Sequence, residues 1–241
     1  MRNKNSDPKF IEWTKNRSQN SYANLFTIGV LNRLQKRNEL LGLDIGGGCG
    51  KFSLDIINGT DYIVEVIDPS FQAKENFFSN KNLKLISQDF MQYPIGKKYD
   101  FIFLNLVLHH IIGNNEIENR NAQLSFLEKA KKHLKPDGIL FIQENYYEGI
   151  LGSDISGKII YILTRSKFLE KIIRLLGANT AGEGVRFRSS RSWEILFKKV
   201  GLVKISEASA TKWGVNIKFF EKLFLLLNRR YQSMSIFKAI N

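Results

Sequence analysis

Apolar residues along the chain follow two alternating rhythms. Leu40–Ile45, Tyr62–Ile67, Leu83–Ile86, Phe101–Leu104 and Ile139–Ile142 are short, nearly continuous apolar runs. Continuous rather than alternating hydrophobicity predicts strands covered on both faces, as in a parallel sheet. Between the runs, three- and four-residue apolar spacing predicts helices over 51–58, 71–79 and about 120–134. Asp68-Pro69 stops the second strand, because proline removes a ladder donor, and Lys135-Pro136-Asp137-Gly138 reads as a stop and turn. Strands alternating with helices at this spacing predict an α/β fold with a doubly wound, mostly parallel sheet.

The ends and one internal segment depart from that rhythm. Trp13–Leu34 has helical spacing and predicts a cap over residues 1–37. After Glu148 come helix-like pieces, Ile159–Leu163 and Phe168–Leu176, and a glycine-rich stretch, Gly177–Gly184. Residues 149–185 therefore read as a helical insertion after strand five, inside a domain spanning 38–215. The rhythm returns with a helix from Ser192, read as its N-cap, to Val200, with Gly201 after it, and a strand Leu202–Ile205. Residues 216–241 read as an amphipathic tail, with Phe219, Phe220, Leu223, Phe224, Leu226 and Leu227 among Lys and Arg.

Composition narrows the classes. One cysteine and three histidines in 241 residues exclude a disulfide framework and give no metal-ligand spacing. No apolar signal core opens the chain, and no uninterrupted apolar run is long enough to span a bilayer, so a cytoplasmic protein is expected. The net charge of +13 is uneven: residues 1–40 carry 8 Lys and Arg against 3 Asp and Glu, 41–185 carry 16 against 17, and 186–241 carry 12 against 3. Basic ends suit an anionic acceptor, nucleic acid or an acidic membrane surface. Peripheral membrane contact, where it occurs, would run through 216–230. No stacking platform of interleaved aromatics accompanies the charge, so nucleic acid is not the favoured partner.

The densest motif is Leu43-Asp44-Ile45-Gly46-Gly47-Gly48-Cys49-Gly50-Lys51-Phe52, at a strand-to-helix turn. Glycines let the backbone turn sharply and approach a ligand, and the helix start offers free N–H groups. A dinucleotide fingerprint fails in both registers, since Lys51 or Ser53 stands where its last glycine belongs. A P-loop fails because Ile45 replaces the leading glycine and Phe52 the Ser or Thr. The pattern that fits is D-x-G-x-G-x-G, on Asp44, Gly46, Gly48 and Gly50.

With this motif the chain resembles the class I S-adenosylmethionine-dependent methyltransferase family. The resemblance covers residues 38–145 well and 186–206 loosely. It implies a Rossmann-like methyltransferase fold and S-adenosylmethionine as cofactor. Gly46, Gly47, Gly48 and Gly50 would wrap the methionine part, with Asp44 orienting its amino group. It also implies that Asp68, ending the second strand, holds the ribose diol, and that Asp89 and Phe90 contact the adenine.

The segment Asn105-Leu-Val-Leu-His109-His110 resembles the family's fourth-strand tip, where Asn105 would border the cofactor. It lacks the prolines and aromatic of the adenine-type DNA enzymes, so the reading leans toward a small-molecule or lipid-like acceptor. His109 or His110 is the candidate general base, and His133 reads as surface. Glu144, Tyr146 and Tyr147, after strand five, are candidate acceptor residues. Arg186 and Arg188 are candidates to grip an anionic group, and Trp193 is read as core. The rival expectations are an RNA or protein methyltransferase recruited by the basic ends, and a non-catalytic scaffold.

Overall fold

A computed structural model describes residues 22–33, 40–60, 62–175, 180–209 and 223–240. The elements are α1 (Tyr22–Arg33), β1 (Leu41–Ile45), α2 (Lys51–Thr60), β2 (Ile63–Ile67), α3 (Phe71–Glu75), β3 (Leu83–Ile86), β4 (Tyr99–Asn105), α4 (Glu116–Lys132) and β5 (Leu134–Gly149). They continue with α5 (Ile155–Arg165), α6 (Glu170–Leu175), α7 (Ser190–Lys199), β6 (Leu202–Ser209) and β7 (Leu227–Ala239). Among the described residues, seven strands form one sheet in the order β3-β2-β1-β4-β5-β7-β6. β1 to β5 pair in parallel, and β7 runs antiparallel between β5 and β6.

Both faces are covered, which explains the continuous apolar runs. Phe101 and Phe103 of β4 point to one side, packing with Leu31 of α1 and Ile56 of α2. Ile102 and Leu104 point to the other, packing with Leu127 of α4 and Trp193 of α7. The order reverses between β1 and β4, whose neighbours lead away in opposite directions. Their carboxyl ends form the crevice where open α/β sheets bind ligands.

Five expectations are corrected. β5 begins at Leu134, because Lys135–Gly138 bulge out between the pairs Tyr99↔Leu134 and Ile139↔Phe101. The local turn signal is real, but pairing resumes beyond it. The same strand runs on to Gly149, so Glu144, Tyr146 and Tyr147 lie on it rather than after it. The chain's end is no appended amphipathic tail: Leu227–Ala239 form β7, whose residues Gln232 to Phe237 are all buried. Residues 216–222 of that reading, like most of the 1–37 cap, lie outside the described residues.

His133 is not on the surface. It is wholly buried, its Nδ1–H donates to the Lys97 carbonyl (3.1 Å), and Phe90, Tyr93 and Tyr99 surround its ring. The N-cap of α7 is Ser189, whose hydroxyl accepts from the Ser192 N–H at 3.3 Å, while Trp193 fills the core as read.

Candidate active site

The glycine loop joins β1 to α2 at the carboxyl edge. Gly46, Gly48 and Gly50 all take positive φ (72°, 56° and 79°), a region that favours glycine. Space also forbids a side chain at Gly47, where a Cβ would lie 2.4 Å from Asp44 Oδ2. Asp44 is buried and accepts from the Ser53 hydroxyl at 2.6 Å, tying β1 to α2 from beneath the loop. Gly48 faces open space, with no atom within 4 Å of a notional Cβ.

Asp68 follows β2 and reaches across to this loop. Its Oδ2 accepts from the Gly48 N–H at 3.0 Å, and its Oδ1 from the Ser70 N–H (2.9 Å) and hydroxyl (2.6 Å). Asp89 is exposed beyond β3 and accepts from the Met91 N–H at 2.8 Å. Phe90 does not join it: its ring is buried against Phe126 (5.1 Å) and His133 (5.5 Å), a core residue rather than an adenine contact. Asn105 ends β4, and its Oδ1 is buried without a hydrogen-bond partner. The loop, an acid beside it, the open space at Gly48 and this orphaned oxygen together fit a polar ligand such as S-adenosylmethionine.

After Asn105 the backbone is strained, since Leu106 takes φ 58°, uncommon for a side-chain-bearing residue. The following turn, Leu108–His110, is held by Glu144 of β5. That fully buried carboxylate accepts from the Leu108 N–H (2.9 Å), the His109 N–H (3.4 Å) and His109 Nδ1 (2.8 Å). A carboxylate on Nδ1 fixes the proton there and leaves Nε2 as the lone-pair nitrogen. Glu144 thus positions His109 and is not open to an acceptor. His110 keeps an exposed surface, yet desolvation by the protein packed around its ring, with His109 beside it, holds its pKa below the ordinary imidazole value. It is neutral at pH 7.

β5 and β7 run on beyond the tip of β4 as a two-stranded ladder, whose faces differ. On the α1 side, Gln232 donates to Asn145 Oδ1 (3.1 Å) and Gln143 donates to Gln232 Oε1 (2.7 Å). Tyr147, on the same side as Asn145, stacks on Phe187 at 4.5 Å, and Arg230 lies over Tyr147 at 5.7 Å. Phe187 also stacks on His109 at 4.5 Å, and His109 meets His110 at 4.3 Å. His110, His109, Phe187 and Tyr147 therefore form one run of rings beside the strand tips.

The opposite side of the ladder is closed. Tyr146 is buried and stacked on Tyr231 at 5.0 Å, and burial pushes its phenol pKa up. Arg186 and Arg188, expected to grip an acceptor, are instead buried. Arg186 donates to Glu116 (2.7 and 3.1 Å) and pairs with Asp154. Arg188 donates to Gln123 (2.7 Å), Glu116 (3.0 Å) and Asp154 (3.3 Å). The reason is strand geometry: the bridge Tyr146↔Arg188 lays this segment along β5, so alternate side chains take opposite faces. Two arginines go inward and Phe187 goes to the site. Sequence reasoning missed Phe187, Gln143, Gln232 and Arg230, although the alternation Arg186-Phe187-Arg188 was its available signal.

Comparison with known proteins places the chain in a family. A family model described as a methyltransferase domain matches residues 20–207. The chain is similar to the N-terminal Xaa-Pro-Lys N-methyltransferase 1 of Mus musculus, with 26% identity over 151 residues, 58% of this chain and 62% of that protein. It is also similar to malonyl-[acyl-carrier protein] O-methyltransferase 2 of Ilyobacter polytropus, 30% identical over 44% of this chain and 41% of that one. Among solved structures, the complex of LepI with S-adenosylmethionine superposes with a TM-score of 0.61 at 16% identity, over 98% of this chain and 54% of the other. The chain spans about three-fifths of the length of the mouse relative, 62%. It belongs to the methyltransferase-domain family, and with it to the class I S-adenosylmethionine-dependent methyltransferases.

Proposed function

We propose that the chain transfers a methyl group from S-adenosylmethionine to a small planar or amphiphilic acceptor that is neutral or anionic. Gly46, Gly47, Gly48 and Gly50 would hold the methionine part, Asp68 the ribose, Asp89 the adenine edge, and Asn105 the reacting end. The cofactor supplies a sulfonium-activated methyl for in-line displacement. The chain's own contribution is alignment, exclusion of water and, where the nucleophile needs it, acceptance of a proton. His109, whose Nδ1 is bonded to Glu144, would take that proton on Nε2, whereas desolvation makes His110 the weaker base of the two.

One observation carries the acceptor class. The face above Asn105 offers the amides Gln143, Asn145 and Gln232, the rings Tyr147 and Phe187, and the guanidinium Arg230, with no carboxylate in that group. Rings suit a planar or apolar body, and an arginine suits a negative or neutral polar end. An α-amine, which is cationic before methylation, finds no countercharge in this group. The similarity to N-terminal methyltransferases supports the second reading, a peptide amino terminus as acceptor.

The test pairs calorimetry with a transfer assay. S-adenosylmethionine and S-adenosylhomocysteine should bind the purified chain, and radiolabelled methyl should appear in organic-soluble or small anionic products. Label confined to polypeptide would reject the small-acceptor reading. Failure of both ligands to bind would leave a scaffold with a methyltransferase fold.

A further inference from the structure

The helices after β5 present an outer face with an unusual mixture of residues. Leu151 is 99% exposed, Phe168 92%, Leu175 88% and Ile162 65%. Single exposed hydrophobics are ordinary, but these follow one another in a single segment of the chain, Leu151–Leu175. Ile155 and Ile162 stand seven residues apart on α5, two turns along one stripe. Leu151 lies in the turn before that helix and Phe168 in the turn after it, and exposed Ile172 and Leu175 continue on α6.

Cations are interleaved with these residues and carry no compensation. Lys158 shares the α5 stripe, and Lys167 and Lys171 flank Phe168 and Ile172. All three are exposed, and among the described residues none of their side-chain ammonium groups has a hydrogen bond or ion pair. The nearby carboxylates are already engaged, Asp154 with Arg186 and Arg188, and Glu170 with Arg174 at 2.9 Å. Apolar side chains set among free lysines match an anionic lipid surface, where the former enter the acyl boundary and the latter meet phosphates. The inner side of α5 touches the candidate site, since a Cβ on Gly157 would lie 2.0 Å from the Phe187 carbonyl. The outer face is thus about one helix diameter, ~10 Å, from the ring stack.

We propose that the face from Leu151 to Leu175 docks the chain on anionic membranes, with α5 lying in the plane of the headgroups. The docking does not depend on which acceptor is methylated, and it is tested without catalysis. The full chain should co-sediment with vesicles of phosphatidylcholine and phosphatidylglycerol, and much less with phosphatidylcholine alone. The triple variant Leu151→Ser, Phe168→Ser, Leu175→Ser should bind at least roughly tenfold more weakly. Its circular dichroism and S-adenosylmethionine binding should be unchanged, because those side chains are almost fully solvent-exposed. Lys158→Gln, Lys167→Gln and Lys171→Gln together should remove the preference for anionic lipid. Absence of vesicle binding, or binding unaltered in the triple variant, overturns the proposal. A dimer that dissociates in the triple variant, without vesicle binding, assigns the face to a second copy of the chain instead.

Discussion

Both oxygens of Asp68 accept hydrogen bonds from the protein itself, Gly48 on one side and Ser70 on the other. An ionised carboxylate has about four lone-pair sites and three are taken, so one ribose hydroxyl can add on Oδ2, while a second would displace a bond from Ser70. Asp68→Ala removes both the ribose contact and the tie to the loop. It should weaken S-adenosylmethionine binding by roughly tenfold or more, about 1.4 kcal/mol, in a calorimetric titration. Equal affinity in the variant would move the ribose elsewhere. His133 makes a second prediction at this scale. Burial lowers its pKa below the ordinary 6.5, so the native state resists a proton that the unfolded chain takes up readily. Stability should therefore be full above about pH 6.5 and fall as the pH drops toward the native pKa, because the unfolded state then binds more protons. Urea unfolding at pH 7 and pH 5 should show the loss, and His133→Phe should flatten it. A variant with the same pH slope would place the titration on another group.

The strands and helices from β1 to β4 were legible because covered parallel strands leave continuous apolar runs, and glycine and proline punctuate them. β7 was hidden for a physical reason. It carries serines at 233 and 235 that are fully buried in the sheet, and helical spacing upstream masked its start. The glycine loop and Asp68, the proposed cofactor half of the site, were legible as a turn with an acid beside it, since backbone geometry dictates those residue types. The acceptor half could not, because it depends on which face of β5 each side chain takes. Arg186 illustrates the difference and is testable. As part of a network with Glu116 and Asp154, its loss leaves two partly exposed carboxylates to Arg188 alone and loosens the contact between α4 and α5. Arg186→Ala should cost about 2 kcal/mol or more, below the usual range for a buried pair because Glu116 keeps 40% of its side chain exposed. Its KM for the acceptor should change little once protein that remains folded is compared. A large KM effect with unchanged stability would restore the arginine as an acceptor ligand.

Across the whole molecule, the proposed site and a lysine-lined groove lie at opposite ends of the strands. The glycine loop, Asn105 and the ring stack lie at the carboxyl ends of the strands. At the other edge a cavity of about 530 Å³ is lined by Lys98, Lys131, Lys132, Lys135 and Lys199. Some of these ammonium groups serve the fold: Lys131 donates to the Val200 and Ile240 carbonyls, and Lys135 pairs with Asp100 at 2.8 Å. A nucleic acid drawn to this groove would sit across the full strand length from the methyl-transfer edge. A small acceptor has no need of it. The double variant Lys132→Glu, Lys199→Glu reverses charge there while leaving the carboxyl edge intact. Methyl transfer to a small acceptor should keep kcat/KM within about twofold, well under 1 kcal/mol, because surface charges beyond a Debye length are screened at physiological salt. An RNA acceptor held by the groove would instead lose affinity steeply in the variant, and the wild-type reaction would weaken with salt as counterion release requires. Transfer rates measured for both proteins across a salt series separate the two cases, since only a groove-bound polyanion makes the variant and high salt equivalent.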